Sequence, residues 1–337
     1  MSTVTQPAVG APDLLAVSEV LREHLPAGRT RLAVVAMSKD ENPKAVVMAT
    51  PAGESAPTLA VKVALTPGAA VSVRAEAAAL DRLAELDDAL LGGTIPRRIA
   101  LHDNGKIGTL LVTTVARGRP LAVDYHRWHH TSRRRSVEAD FRAAQAWLAR
   151  LSDIAVPAQA EPRFADEVAA RWPDDEVGAA AATVCRQARE RLGELDATHV
   201  AHGDFWCGNI LRSGPAVSGV VDWEHTQFGV SPLWDRVRFA LAYTLYLDRH
   251  TTSGASVHGH PGLTAGAWGE PVRYLLRGRG WYTECVGAFI ATTAAGEGPL
   301  RGSWRDAVIV GLGQVAGGSD QADFARAHAR LLAEVGS

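Results

Sequence analysis

Hydrophobic positions change their period partway along the chain. Over 13–25, Leu14, Leu15, Val17, Val20, Leu21 and Leu25 recur at helical spacing, with Asp13 placed as an N-cap and Pro26 just beyond. Three β-like runs follow at 31–37, 44–49 and 58–65, parted by the turn-forming stretches SKDENP and TPAGESAP, which predicts a small antiparallel sheet. The segment 73–91 is rich in Ala, Leu and Glu and predicts a helix that stops at Gly92-Gly93. Runs at 99–101 and 107–115 flank Asp103-Asn104-Gly105 as a hairpin. The predicted order is β-β-β-α-β-β.

Beyond Val115 the period becomes helical, with helices predicted over 137–151, 177–195, 234–247, 281–293 and 320–335. One stretch breaks this pattern. Between His199 and Trp223 two short apolar runs flank the turn Ser213-Gly214-Pro215, which reads as a hairpin set among helices. The change of pattern divides the chain into an N-terminal lobe, 1–114, and a helical C-terminal lobe, 115–337.

Composition narrows the function classes. With 337 residues, the chain is long enough for two cores, and 47% hydrophobic against 21% charged residues is ordinary globular usage. A net charge of −2 argues against a protein held to nucleic acid by phosphate neutralisation. Cys185, Cys207 and Cys285 are odd in number and widely spaced, so neither a disulfide framework nor a zinc ribbon fits. The N-terminal segment lacks a basic region leading into an apolar core, and no uncharged run approaches a bilayer span, so the expectation is a cytoplasmic protein without a membrane partner. Monomer and homodimer both remain open. Lysine occurs only at 39, 44, 62 and 106, which limits the choice of any catalytic ammonium.

The polar residues around the inserted hairpin carry the chemistry. His202-Gly203-Asp204-Phe205-Trp206-Cys207-Gly208-Asn209 precedes it and Val221-Asp222-Trp223-Glu224 closes it. The first segment resembles the H-G-D-x-x-x-x-N catalytic loop of the aminoglycoside phosphotransferase and choline kinase superfamily, relatives of the protein kinases, and the second resembles its I-D-W-E turn. The resemblance implies an α+β, bilobal protein-kinase-like fold: a small antiparallel sheet lobe with one helix, and a larger, mainly helical lobe carrying the hairpin. It also implies transfer of the terminal phosphate of ATP or GTP, with Mg2+, to a hydroxyl of a small molecule.

Phosphoryl transfer needs positioning and charge neutralisation more than covalent chemistry. On the family pattern Asp204 would orient the acceptor hydroxyl and take its proton, Asn209 and Asp222 would ligate magnesium, and Glu224 would approach the metal. His202 would brace the loop. A lysine on the third strand should contact the nucleotide phosphates and pair with a helix glutamate. Lys62, alternating with apolar neighbours, points away from the packed face toward a cleft, and with Glu76 forms the expected pair; Lys44 is the rival. Leu111 and Thr113 fall on the strand expected to meet the purine edge.

Gly229 to Asp235 is similar to the family's G-x-P-x-x-D segment, which makes Asp235 a brace for the loop or an ordinary acid at a helix N-terminus. The first turn, Ser38 to Pro43, holds no glycine, so Ser38 is either a phosphate contact or part of an exposed turn. Gly311, Gly313 and Gly317 imitate a dinucleotide-binding turn, but their spacing better suits a closely packed helix. Gly105-Lys106 lies in a hairpin turn and forms no Walker loop. The clusters His126, His129, His130 and His258, His260 read as a metal or anion site or as solvated loops.

Acids at 248, 270, 284, 297 and 306 are balanced by arginines at 249, 273, 277, 279, 301 and 305, so the expected acceptor region is not anionic. A polycationic acceptor would favour an anionic pocket, which points to a neutral or anionic hydroxylated compound. Trp268, Trp281, Tyr282 and Glu284 are the candidate acceptor contacts. Antibiotic inactivation is the leading reading, a metabolic sugar or amino-alcohol kinase the second, and a catalytically silent nucleotide-binding module the third.

Overall fold

A computed structural model describes residues 12–38, 41–104, 108–292 and 303–336, and the chain divides into two compact units. The Lys39-Asp40 part of the first turn, Gly105-Lys106, Glu297, Arg301 and the N-terminal segment to 11 lie outside the described residues.

The first unit is drawn from Met1–Ala116 together with Val221–His225. Its elements are α1 (Leu14–Leu21), β1 (Thr30–Met37), β2 (Lys44–Pro51), β3 (Leu59–Ala64), α2 (Pro67–Leu86), α3 (Leu90–Gly93), β4 (Arg98–Asn104) and β5 (Gly108–Thr114). The five strands form one antiparallel sheet in the order β1-β2-β3-β5-β4. One face is a continuous apolar layer: Ala45, Val47 and Ala49 of β2, Leu59, Val61 and Val63 of β3, and Leu110 and Val112 of β5 pack with Val17, Val20 and Leu21 of α1. The period of two along each strand therefore sends Val46, Lys62 and Leu111 to the opposite face, where the register aligns them in one row.

The helices of this unit differ from the sequence expectation at their ends. α1 ends at Leu21 rather than 25; the chain goes on in hydrogen-bonded turns, the Leu25 amide donating to the Leu21 carbonyl at 3.0 Å, up to Pro26. Its Asp13 cap accepts hydrogen bonds from the amides of Leu15 and Ala16. α2 begins six residues before Val73: Thr66 caps the Ala69 amide at 3.1 Å, and Pro67 supplies a φ suited to a first helical turn.

The second unit comprises Arg117–Val220 and Thr226–Ser337. It contains β6 (Arg119–Pro120), α4 (Leu121–Tyr125), α5 (Arg134–Ser152), α6 (Phe164–Arg171), α7 (Glu176–Leu192), β7 (His199–Ala201), β8 (Ile210–Ser213), β9 (Ala216–Val220) and β10 (Gln227–Val230). The helices α8 (Leu233–Leu245), α9 (Glu270–Arg277), α10 (Trp281–Ala291), α11 (Trp304–Gly318) and α12 (Ala322–Val335) complete it. β8 and β9 form the expected hairpin, joined by β6, while β7 pairs with β10.

The glycine-rich run near 311 is a packing device on α11. A Cβ on Gly311 would lie 2.2 Å from a Val237 methyl of α8, and one on Gly313 would lie 2.4 Å from Cys185 Sγ of α7. Close helix approach, not a phosphate turn, fixes these glycines.

A buried acid ties three elements of this unit together. Asp140 of α5 is inaccessible to solvent and accepts from Arg212 Nη1 of β8 at 2.5 Å, from Tyr243 OH of α8 at 2.9 Å, and contacts His130 Nε2 at 2.7 Å. This gives His130, which is half-buried, a structural partner. Asp140→Ala strands a buried guanidinium and is expected to cost about 3–5 kcal/mol, read as a shifted urea midpoint at constant slope.

His260 and His328 are each 1% exposed, and burial pushes both down from 6.5 to about 4. Between those values the unfolded chain binds protons that the folded one refuses, so their contribution is full above pH 6.5 and is lost as pH falls to 4. The melting temperature is expected to drop across that window, with a flatter profile in His328→Gln.

Candidate functional site

Each unit gathers part of the candidate polar residues. In the first, the alternation on β3 aims Lys62 away from the apolar layer, and the buried stripe of α2 places Glu76 beside Val73, Ala77 and Leu80. Lys62 Nζ is ion-paired with Glu76 Oε2 and lies 2.5 Å from Asp222 Oδ1. The rival lysine has its own partner: Lys44 Nζ lies 2.5 and 2.6 Å from the two oxygens of Glu224. The sequence reading weighed the two lysines as alternatives, and the structure engages both with different carboxylates.

Asp222, Trp223 and Glu224 come from the returning segment of this unit. Trp223 is fully buried, and its amide donates to Glu76 Oε1 at 3.4 Å, which fixes the segment against α2. Asp222 adopts φ 72°, a region that aspartate tolerates better than branched residues. Oxygens of Glu76, Asp222 and Glu224 lie within 4.8 Å of one another. Burial alone would lower Lys62, but Glu76, Asp222 and Glu224 outweigh it and raise the group above an ordinary lysine, so it stays charged. Burial pushes Glu76 upward against the pull of Lys62. The donors are hard oxygens, which suits magnesium.

Leu111 and Thr113 lie on β5, where Leu111 pairs with Lys62 and Thr113 with Ala60; both are buried. Ser38 closes the β1–β2 turn, its hydroxyl accepting from the Lys44 amide at 2.8 Å and its own amide donating to the Lys44 carbonyl.

In the second unit the loop after β7 turns at Gly203, with φ 83°, and presents Asp204. His202 is fully buried, and its Nδ1 accepts from the Asp204 amide at 3.2 Å. Asp235, on the first turn of α8, accepts from the amides of His202 at 2.6 Å and Gly203 at 2.9 Å. Of the two roles left open for Asp235, the geometry is that of a loop brace. Burial raises it, offset by these donors and by His202.

Asn209 closes the loop from the other end, its Nδ2 donating to the Asp204 carbonyl at 2.9 Å and to Oδ2 at 3.0 Å. Asp204 Oδ1 accepts from Arg238 Nε at 2.9 Å and Nη2 at 2.7 Å. Sequence reading missed Arg238. The signal was available, because Asp235 and Arg238 are three residues apart on one helix and so share a face.

The acceptor candidates are not gathered in one place. Tyr282 is fully buried with its hydroxyl 2.8 Å from that of Thr244, so its ring offers no face to a ligand. Trp281 donates to the Gly259 carbonyl at 3.0 Å and, with Glu284, lines a cavity of about 380 Å³ that also touches Arg134 and Arg142. Trp268 packs instead on Phe324 and His328 of α12. His129 stacks edge-on against His258, while His260 Nε2 donates to the Thr131 carbonyl at 2.9 Å.

The antiparallel sheet with its ion-paired lysine, followed by a helical unit with a braced Asp204 to Asn209 loop, is a kinase-like α+β arrangement. The pattern of the phosphotransferase enzyme family matches residues 41–244, and the chain belongs to that family. Among solved structures it is similar to aminoglycoside phosphotransferase APH(3'')-Id from Streptomyces rimosus, at 18% identity and TM-score 0.52 over 89% of this chain and 99% of that one. It is also similar to the ternary complex of a thermostable APH(4)-Ia mutant with ADP and hygromycin B, at 14% identity and TM-score 0.54 over 95% and 98%. At these identities the likeness speaks to the fold. No curated protein matches the chain. Among the described residues no helix is long and apolar enough to cross a membrane.

Asp235→Ala removes the acceptor for two loop amides, and is expected to lower unfolding free energy by about 3 kcal/mol in urea titrations. Asp235→Asn, which keeps one acceptor oxygen, is expected to lose roughly half as much.

Proposed function

We propose that the protein transfers the terminal phosphate of ATP or GTP to a hydroxyl of a small molecule, and that the acceptor is neutral or anionic. The observation that supports the transfer most directly is the charged Lys62 held by Glu76 and Asp222, an ammonium placed beside carboxylates suited to a nucleotide-bound cation. On this reading the first unit binds the nucleotide, with Lys62 on its phosphates, Leu111 and Thr113 at the purine strand and Ser38 at the turn. Asp222 holds magnesium, with Glu224 near it, and Asn209 offers its Oδ1. Magnesium, when bound, neutralises charge on the phosphate being transferred. In the second unit Asp204 orients the acceptor hydroxyl and takes its proton, while His202 and Asp235 hold the loop.

Arg238 favours the choice of acceptor. A guanidinium on Asp204 Oδ1 repels a polycation and complements a carboxylate or phosphate. The structural neighbours include complexes with kanamycin and hygromycin B, so antibiotic modification remains the leading role, with a compound less cationic than those. A metabolic kinase uses the same groups. Three free cysteines agree with a reducing, cytoplasmic setting.

Release of ADP or GDP across an acceptor panel, with and without magnesium, tests this. Wild type is expected to turn over with at least one neutral or anionic acceptor. Asp204→Ala is expected to lose about 10²–10⁴-fold in kcat, and Lys62→Ala to lose a comparable factor with a larger share in nucleotide KM. Wild-type silence with every acceptor, despite nucleotide binding, would favour the silent-module reading. Arg238→Gln is expected to raise relative turnover of cationic acceptors; an unchanged preference would remove Arg238 from specificity.

A further inference from the structure

A second group of ligating side chains lies in the first unit, apart from the carboxylates around Lys62. Glu23 and His24 follow the last turn of α1, and His102 lies on β4. His24 Nε2 and His102 Nε2 are 3.4 Å apart, and a Glu23 oxygen lies within 4.8 Å of both. The imidazoles are half-buried and the carboxylate is exposed.

The nitrogen separation discriminates between readings. Two imidazoles on one tetrahedral zinc, with Zn–N near 2.0–2.1 Å, hold their nitrogens about 3.3–3.4 Å apart. A direct imidazole–imidazole hydrogen bond prefers about 2.9–3.0 Å. The rings meet edge-on at 64°, with centroids 5.7 Å apart, so they do not stack. Glu23 has a flexible stem that closes the remaining distance, and the C-terminal end of α1 favours a cation. The neighbouring acid Asp103 is spoken for: Arg74 and Thr109 donate to it, and it is held low, near 2, by those hydrogen bonds.

The geometry points to a divalent transition-metal site of Glu23, His24 and His102, with zinc-like preference and one open position. Its ligands join the segment after α1 to β4, so the metal would pin the opening helix to the sheet. No role in phosphate transfer is assigned to it.

The test uses the full chain, stripped with chelator and titrated with Co2+ and then Zn2+. Wild type is expected to bind one Co2+ with the intense visible absorption of tetrahedral nitrogen ligation, displaced by Zn2+, and Zn2+ is expected to raise the melting temperature. The carboxylate set around Lys62 supplies only oxygens and gives no such absorption. His24→Gln and His102→Gln, on separate elements, are each expected to abolish the visible band and the thermal shift while keeping the basal phosphotransfer rate. Glu23→Gln is expected to weaken Co2+ binding roughly 10-fold or more. Absence of the band in wild type, its survival in both histidine variants, or unchanged affinity in Glu23→Gln would each overturn the site.

Discussion

Three carboxylates brought within 4.8 Å of one another in a half-buried setting cannot persist without compensation. Lys62 and Lys44 supply it, and the local structure follows from that need. The strand must aim Lys62 off the apolar face, α2 must bury Glu76 on its inner stripe, and the segment 221–225 must return to the sheet with Trp223 sealed beneath it. Any one of these failing would leave a buried charge exposed to its like neighbours. A site with this balance is also responsive, because a divalent cation can take over the neutralising work of an ammonium and release it toward other anions. On the proposed reading that property suits the cluster to a nucleotide, whose phosphates would arrive with their own cation.

The second unit solves a different problem with the same means. Asp204 has to be held still while one face remains usable. His202 and Asp235 grip the loop by its backbone, which costs Asp204 none of its own oxygens. Asn209 and Arg238 then occupy Oδ2 and Oδ1 respectively. The two-donor grip of Arg238 on Oδ1 is the closest restraint on the side chain, and on the proposed reading it is the one that an acceptor would have to share or displace. An anionic substituent would draw the guanidinium toward itself and free Oδ1, whereas a cationic one would not.

Much of this was legible from residue order alone. The period-two runs fixed the sheet and told which face carries Lys62, and the spacing from Asp204 to Asn209 located the loop. The elements that escaped were short: α4, α6 and α9 span at most eight residues, too few turns for periodicity to rise above chance. The start of α2 was placed late because Gly68 and Ser72 dilute its apolar pattern, although the Thr66-Pro67 cap signalled it. Lys44 was set against Lys62 because a sequence shows how many ammoniums exist but not how many carboxylates converge. Tyr282 was read as a ligand contact because aromatic spacing on α10 is the same whether a ring faces the core or solvent.

The contrast between Lys44 and Lys62 carries the argument one step further. Both are strand lysines within the same unit, and both hold a carboxylate of the 221–225 segment, yet only Lys62 also reaches a helix. Removing Lys44 leaves Asp222 paired and α2 still tied to the sheet, so its loss is confined to Glu224. Removing Lys62 uncouples strand, helix and returning segment together. This asymmetry of partners separates their roles, since the residue with three neighbouring acids sets the geometry and the residue with one only trims the charge.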